Sequence, residues 1–282
     1  MAGIFLAWPN RIDNSTLSSG SWVSGLSLNN IKDREMAVVA RSTDATNAST
    51  KFIIDLGAEY PIRVVSLHNT NLSLTSRWKI KIGTTSGGSE RYLGSYQSSF
   101  FLAFDDPFIP WESQNWWGTG NNDYIKHPFM SPIILPSTVN GRYITVEIDD
   151  TTNADGYVQI GRVFVGDGFT AKYDASFGLQ DGWEDLSSVS YSESGADFVF
   201  KRRRRRYTKF SFDHLEHTTE FPRVYEMIRR LGTVEEVLYL PSTSDYQACQ
   251  RTGYLGMLSE LSPIEFPYYN GRSLGLNIKE RL

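Results

Sequence analysis

One-for-one alternation of apolar and polar residues, in short runs closed by Ser-, Thr-, Asn- and Gly-rich clusters, constrains this chain more than any other feature of its first 168 residues. In Trp78-Lys-Ile-Lys-Ile82 the side chains of Trp78, Ile80 and Ile82 share one face. Lys79 and Lys81 share the other, as a half-buried strand requires. Residues 51–56, 63–67, 143–148 and 157–160 also read as strands. No helical period of useful length interrupts them. Short strands with such punctuation predict a β-sandwich or jelly roll over residues 1–168.

A break falls at Gly166-Asp-Gly168, and the pattern changes after it. Strand signals lie at 187–191 and on both sides of a run of basic residues that ends before Phe210-Ser-Phe212. One convincing helix follows at 219–231. There Phe221, Val224, Tyr225, Ile228 and Leu231 form an apolar stripe, with Pro222 in the first turn and Gly232 as the stop. Strands are expected at 236–240, 252–258 and 273–278. Residues 169–282 therefore read as a second β-sandwich or barrel that carries one packed helix, and the chain as mainly β in two domains.

Composition narrows the function. The 282 residues carry a net charge of −4, split into −8 over residues 1–200 and +4 over residues 201–282. The chain as a whole is thus no basic nucleic-acid binder, and sequence-specific nucleic acid is not an expected partner. A single cysteine, Cys249, excludes a disulfide framework or a Cys-based zinc site within one chain, and fits folding in a reducing cytoplasm. The apolar stretch 1–8 reads as a first strand and not as a signal peptide. No apolar run is long enough for a membrane-spanning helix, so membrane insertion is not expected. The Asn-x-Ser/Thr triplets at Asn14, Asn47 and Asn71 read as chance matches.

Catalytic signatures are missing. There is no nucleophile elbow, P-loop or zinc-protease motif, and Gly118-Thr-Gly120 lacks the third glycine of a dinucleotide loop. Asp105/Asp106 and Glu235/Glu236 are adjacent pairs, which an extended chain points to opposite faces. An enzyme is not expected. His214-Leu-Glu-His217 lies between strand and helix, where solvated turn histidines are the plainer reading than a metal pair; His68 and His127 stand alone. Residues 149–156 hold the oxygen donors Asp149, Asn153 and Asp155, but Thr151 occupies the first calcium-loop position and no Glu closes the loop. An Asp-Gly turn between strands is the reading preferred here. A structural calcium is the one cofactor left open.

Two features point to binding. Residues 104–136 gather Trp111, Trp116 and Trp117 among prolines too dense for central strands, which marks a long insertion loop. Flat indoles can stack on sugar rings while Asn121 and Tyr124 grip hydroxyls, so the loop is a candidate glycan-binding rim; anchoring of the loop or packing against another subunit is the alternative. The second feature is Lys201 followed by Arg202, Arg203, Arg204, Arg205 and Arg206. Like charges so close repel and call for acidic compensation. A solvated hairpin tip, an acidic neighbouring subunit and a phosphate contact are the readings.

Two resemblances follow from particular residues. Thr50-Lys-Phe-Ile-Ile-Asp-Leu-Gly57, Ile62-Arg-Val-Val-Ser-Leu-His-Asn69, Trp78-Lys-Ile-Lys-Ile-Gly83 and the stretches 142–148 and 155–166 resemble the discoidin-type, galactose-binding-like jelly roll. That likeness covers most of 20–166 and implies carbohydrate binding through loops at one end of the sandwich. Loop 104–136 departs from the pattern. Glu220-Phe221, Met227-Ile-Arg-Arg-Leu-Gly232, Glu236-Val-Leu-Tyr-Leu-Pro241, residues 251–263 and residues 270–280 resemble the ring-forming domain of siphophage distal tail and minor tail proteins. This second likeness implies a structural protein of a bacteriophage tail tip or baseplate, made in the host cytoplasm. It further implies a homohexameric ring with tail-tube, tape-measure and hub neighbours, its N-terminal domain reaching host-surface glycans. A stand-alone carbohydrate-binding or adhesin module is the alternative.

Overall fold

In the computed structural model, which describes residues 3–100, 130–193, 197–267 and 271–282, strand content dominates. The alternating runs at 51–56 and 63–67 prove to be halves of one strand, Phe52–Thr70. Its antiparallel partner is a strand of similar length, Met130–Asp149, and the register shifts twice along the pair. Those shifts matter because a one-residue slip exchanges the two faces of a strand. Phe52, Ile54 and Leu56 face the core before the shifts, and Val65 and Leu67 face it after them.

The two long strands thereby serve both layers of a jelly-roll β-sandwich. Their first layer continues through Arg77–Gly83, whose Ile80 lies opposite Val146. Their second layer continues through Gln159–Gly166, whose Val165 lies opposite Val65. Ile54, Trp78, Ile80, Ile144, Val163 and Val165 belong to one buried cluster between the layers. Trp78 is fully buried, and its indole N–H donates to Ser131 Oγ at 2.8 Å, so its polar atom is satisfied inside the core.

Arg162 is the unusual member of this unit. Its relative exposure is 0 %. It donates to Asp13 Oδ1 at 2.5 Å and to the carbonyl of Lys32. It thus ties the strand Gln159–Gly166 to two 3-10 segments, Ile12–Asn14 and Leu28–Lys32. A buried guanidinium requires such partners, because an unpaired charge away from water is costly.

The chain divides into two compact units. The sandwich unit comprises Pro9–Gly168 and Ser242–Gly253; the other comprises Met1–Trp8, Phe169–Pro241 and Tyr254–Leu282. These units are not the simple segments 1–168 and 169–282, because two short segments cross over. Phe5–Ala7 pairs with Val237–Leu240, and so completes the C-terminal sheet. Helix Tyr246–Thr252 belongs with the sandwich unit.

The second unit holds an eight-stranded sheet; seven strands run in the order Gly168–Thr170, Phe5–Ala7, Val237–Leu240, Tyr254–Leu258, Gly271–Glu280, Arg204–Glu216, Gln180–Asp185, and Ile264–Glu265 pairs with Gly271–Glu280 off this path. Helix Glu220–Leu231 buries Val224, Met227 and Leu231 in the same cluster as Phe210, Phe212 and Tyr239. The stripe expected from the sequence is therefore rotated: Met227 is buried, whereas Tyr225 is exposed. The helix ends at Gly232, whose φ of +53° suits glycine and whose N–H reaches the Ile228 carbonyl at 3.1 Å.

Replacement of Arg162 by Met should lower unfolding free energy by about 2 kcal/mol, read from the midpoint of urea denaturation, since the Lys32 carbonyl loses its donor and Asp13 is left with Arg34 alone. A loss within about 0.5 kcal/mol would show that the buried guanidinium is not a structural tie.

Candidate functional site

Of the sites expected from the sequence, the tryptophan rim lies outside the described residues: Trp111, Trp116, Trp117, Asn121 and Tyr124 all fall within 101–129. The calcium candidates are described, and each is engaged by protein groups. Asp149 accepts from Arg77 Nη2 at 2.7 Å, Asn153 donates to the Asn71 carbonyl at 3.0 Å, and Asp155 accepts from Asn71 Nδ2 at 2.8 Å. Among the described residues no group of three or more His, Cys, Asp or Glu is placed to hold a metal ion. The segment is organised by Asp150, which is buried and accepts from Ser73 N at 3.0 Å and from Asn153 Nδ2 at 2.8 Å. Gly156, with φ +73°, makes the turn that follows.

The two histidines of the His214-to-His217 stretch also part company. His214 lines an open cleft of about 520 Å³ with Lys172, Tyr173 and Glu216. His217 Nδ1 instead lies 3.2 Å from Arg272 Nη2.

The arginine run enters the strand Arg204–Glu216, and the chain's own carboxylates meet it. Arg204 pairs with Asp185 at 3.3 Å, Arg205 with Glu184 at 2.6 Å and Arg206 with Glu280 at 2.5 Å. Each carboxylate sits on an adjacent strand in register with its arginine, so cross-strand pairing offsets the repulsion that the sequence implies. The Arg205 guanidinium holds Glu184 below the usual carboxylate range. Lys201, Arg202 and Arg203 remain exposed and have no carboxylate partner among the described residues.

At one end of the sandwich four separate segments meet. Trp22 bridges to Ser42, and Ser42 Oγ accepts from Val158 N at 2.9 Å. The neighbouring Arg41 lays its guanidinium over the Tyr157 ring, 4.2 Å from the centroid. Asn71 spans to the other side of Tyr157, donating to its carbonyl at 3.1 Å and to Asp155 Oδ2. Asn71 is itself held by the backbone N–H of Gln159, at 2.7 Å from its Oδ1. Trp22 is braced edge-on against the core residue Phe52, with ring centroids 5.9 Å apart. Nearby, hydrogen bonds from the Thr46 hydroxyl and backbone, and from Ser49, hold Asp44 below its ordinary range.

This end offers a guanidinium, an amide, a carboxylate and two partly exposed aromatic rings on a rigid support. Such a set can grip hydroxyls and cover an apolar ring face. No nucleophile with a partnering base stands among these residues. Sequence reading missed the constellation because its members come from positions 22, 41, 71 and 155–157, and no linear motif joins them.

The sandwich is similar to carbohydrate-binding modules. One is the family 32 module of Clostridium perfringens NanJ, solved in complex with galactose: 11% identity, 58% of this chain and 99% of that chain, TM-score 0.40. Another is the lectin domain of lectinolysin complexed with Lewis B antigen: 17% identity, 56% of this chain and 95% of that one, TM-score 0.36. A third is chitosan-binding module 1 from a chitosanase/glucanase of Paenibacillus sp. IK-5: 14% identity, 57% and 100% coverage, TM-score 0.36. No family model and no curated protein matches the chain. None of these comparisons adds support for the tail-ring resemblance.

The one cysteine is no part of this end. Cys249 lies in helix Tyr246–Thr252, which Asp245 caps by accepting from Ala248 N at 2.9 Å. The Cys249 thiol donates to the Ser242 carbonyl at 2.9 Å, and burial pushes it up to about 12. An Ellman-type reagent at mildly alkaline pH should therefore leave the native thiol unmodified and react at once after denaturation. Prompt labelling of the native protein would show that this helix leaves its site readily.

Proposed function

We propose that this chain is a non-catalytic carbohydrate-binding protein, and that the sandwich end formed by Trp22, Arg41, Asn71, Asp155 and Tyr157 takes the saccharide. The observation that carries the reading is the meeting of a guanidinium, an amide–carboxylate pair and partly exposed rings from four segments, held by backbone hydrogen bonds. Polar groups already fixed by the fold lose little freedom on binding, which favours a weakly apolar, hydroxyl-rich ligand. The fold supports the reading too, since a sandwich presents variable loops on a rigid support.

The tryptophans at 111, 116 and 117 stay within the proposal as a second contact. A finer reading sets the module on a phage tail tip, with tube, tape-measure and hub proteins as neighbours. It is favoured by an exposed apolar ribbon in the other unit, Ser188–Tyr191 paired with Asp197–Phe200.

A glycan array should identify ligands, and titration calorimetry should then measure them. Replacement of Arg41 and Tyr157 by Ala should weaken binding by about 10- to 100-fold, as expected for loss of a charged hydrogen-bond donor and a stacking surface. Unchanged affinity in that variant, with loss in Trp116→Ala/Trp117→Ala, would move the site to the 101–129 segment. No binding on the array by the wild-type protein would sink the carbohydrate reading.

A further inference from the structure

The outer face of the sandwich's first layer carries the charges that strand alternation turns away from the core. Arg77, Lys79 and Lys81 project from Arg77–Gly83 at two-residue intervals, about 7 Å apart. Lys51, just before Phe52–Thr70, reaches the same place. All three lysines meet one carboxylate: Glu147 lies 2.7 Å from Lys81, 3.1 Å from Lys79 and 3.7 Å from Lys51. Lys51 and Lys81 share its Oε1, so their ammonium groups crowd around a single point. Arg77 pairs with Asp149 at 2.7 Å. Asp55, further along the face, is matched by Arg142. Four cationic groups therefore share the two carboxylates of Glu147 and Asp149. Each ammonium has three N–H donors, and one carboxylate takes up only part of them.

Beneath and beside the lysines lie two further groups. Thr145 stands opposite Lys81 in one strand pair and opposite Ile53 in the other, on the face of Glu147. It is 1% exposed, and its Oγ1 has no hydrogen-bond partner. A buried hydroxyl left unpaired is costly, and this one lies under flexible lysine stems that can swing aside. Tyr96 flanks the cluster, brought there by the pairing of Gln97–Ser98 with Arg77–Gly83. Its partly exposed ring lies 4.3 Å from Lys79 Nζ and 5.8 Å from the Arg77 guanidinium. A ring so placed offers an apolar wall to a sugar, while the ammonium groups take a charged substituent.

We propose that this face is a subsite for a sulfate or phosphate ester carried by a saccharide, held by Lys51, Lys79, Lys81 and the Thr145 hydroxyl, with Tyr96 against the sugar ring. Such an ester presents three acceptor oxygens, which suits three converging ammonium groups better than the two oxygens of a carboxylate do. The face runs on from the sandwich end: Asp149, the partner of Arg77, directly precedes Asp150, which holds the turn at Ser73. A saccharide seated at that end thus has a path along Arg77, Lys79 and Lys81. Nucleic acid fits less well, since the surplus charge is local and the chain carries −4 overall. The inference rests on the saccharide reading and adds the chemical class of the substituent.

An array of galactose-, glucose- and N-acetylglucosamine-based oligosaccharides, each in neutral, sulfated and phosphorylated form, tests it, followed by calorimetry on the best pair. The wild type should bind a sulfated or phosphorylated form at least about tenfold more tightly than its neutral parent. Salt at about 0.5 M should erase the difference. Lys79→Gln/Lys81→Gln should bring the charged form down to the affinity of the neutral parent and leave the parent's affinity unchanged. Glu147→Gln, which frees the ammonium groups, should instead strengthen binding of the charged form. Thr145→Val should weaken it about threefold to tenfold without loss of thermal stability, because the hydroxyl has no partner in the free protein. Equal affinity of the wild type for charged and neutral forms would overturn the proposal. So would a preference that survives in the Lys79/Lys81 variant, or a single-stranded oligonucleotide bound as tightly as the charged saccharide. Binding without charge preference that is lost in Arg41→Ala/Tyr157→Ala removes this subsite and keeps the saccharide reading. Absence of binding to every form removes both.

Discussion

The antiparallel pairing of Phe52–Thr70 with Met130–Asp149 is the constraint on which the sandwich depends. These two strands contribute to both layers, so their register sets which side chains enter the core on each side. The shifts near residues 55–64 let one strand change the parity of its buried face without a break in the chain. Without them, the residues that fill the second layer would face outward.

Rigidity at the sandwich end follows from that pairing. Asn71 comes just after one long strand and Asp150 just after the other. The turns between 71 and 76 and between 150 and 157 are then joined by hydrogen bonds from Asn71 to Asp155, from Ser73 to Asp150 and from Asn153 to the Asn71 carbonyl. The Arg162 tie fixes the 3-10 segments over the neighbouring strand. The result suits recognition more than reaction. Hydroxyl and backbone donors on Asp44, and arginine and lysine on Glu184 and Glu147, hold these carboxylates below the usual range. Burial alone would raise Glu147, for example, yet Lys81 and Lys79 outweigh it and hold the group below the usual range. A carboxylate held ionised in this way is a poor proton donor near neutral pH.

The second unit shows the opposite balance at its surface. Its core is closed by the helix and by the borrowed strand Phe5–Ala7, but its ribbon leaves apolar groups in water. Arginines 204–206 are neutralised by strands of the same chain, while the basic residues just before them are not. A gradient from paired to unpaired charge thus runs toward the ribbon.

Alternation and turn chemistry, read directly from the amino acids, were enough to determine a mainly β chain, the helix at 220–231 and a change of character near residue 168. Those features are local: side chains two residues apart in a strand share a face whatever the strand pairs with. The helix face was read less well, because Tyr225 and Met227 are both apolar enough for the core and only the neighbouring sheet selects between them. Helix Tyr246–Thr252 is too short for a periodic signal. Tertiary structure alone decided that residues 5–7 join the C-terminal sheet and that 242–253 return to the sandwich unit. It alone also brought Arg41, Asn71 and Tyr157 together and gave the arginines their partners. Those outcomes depend on long-range pairing, whose loop-closure cost and burial gain belong to the whole chain and leave no trace in any short window of it.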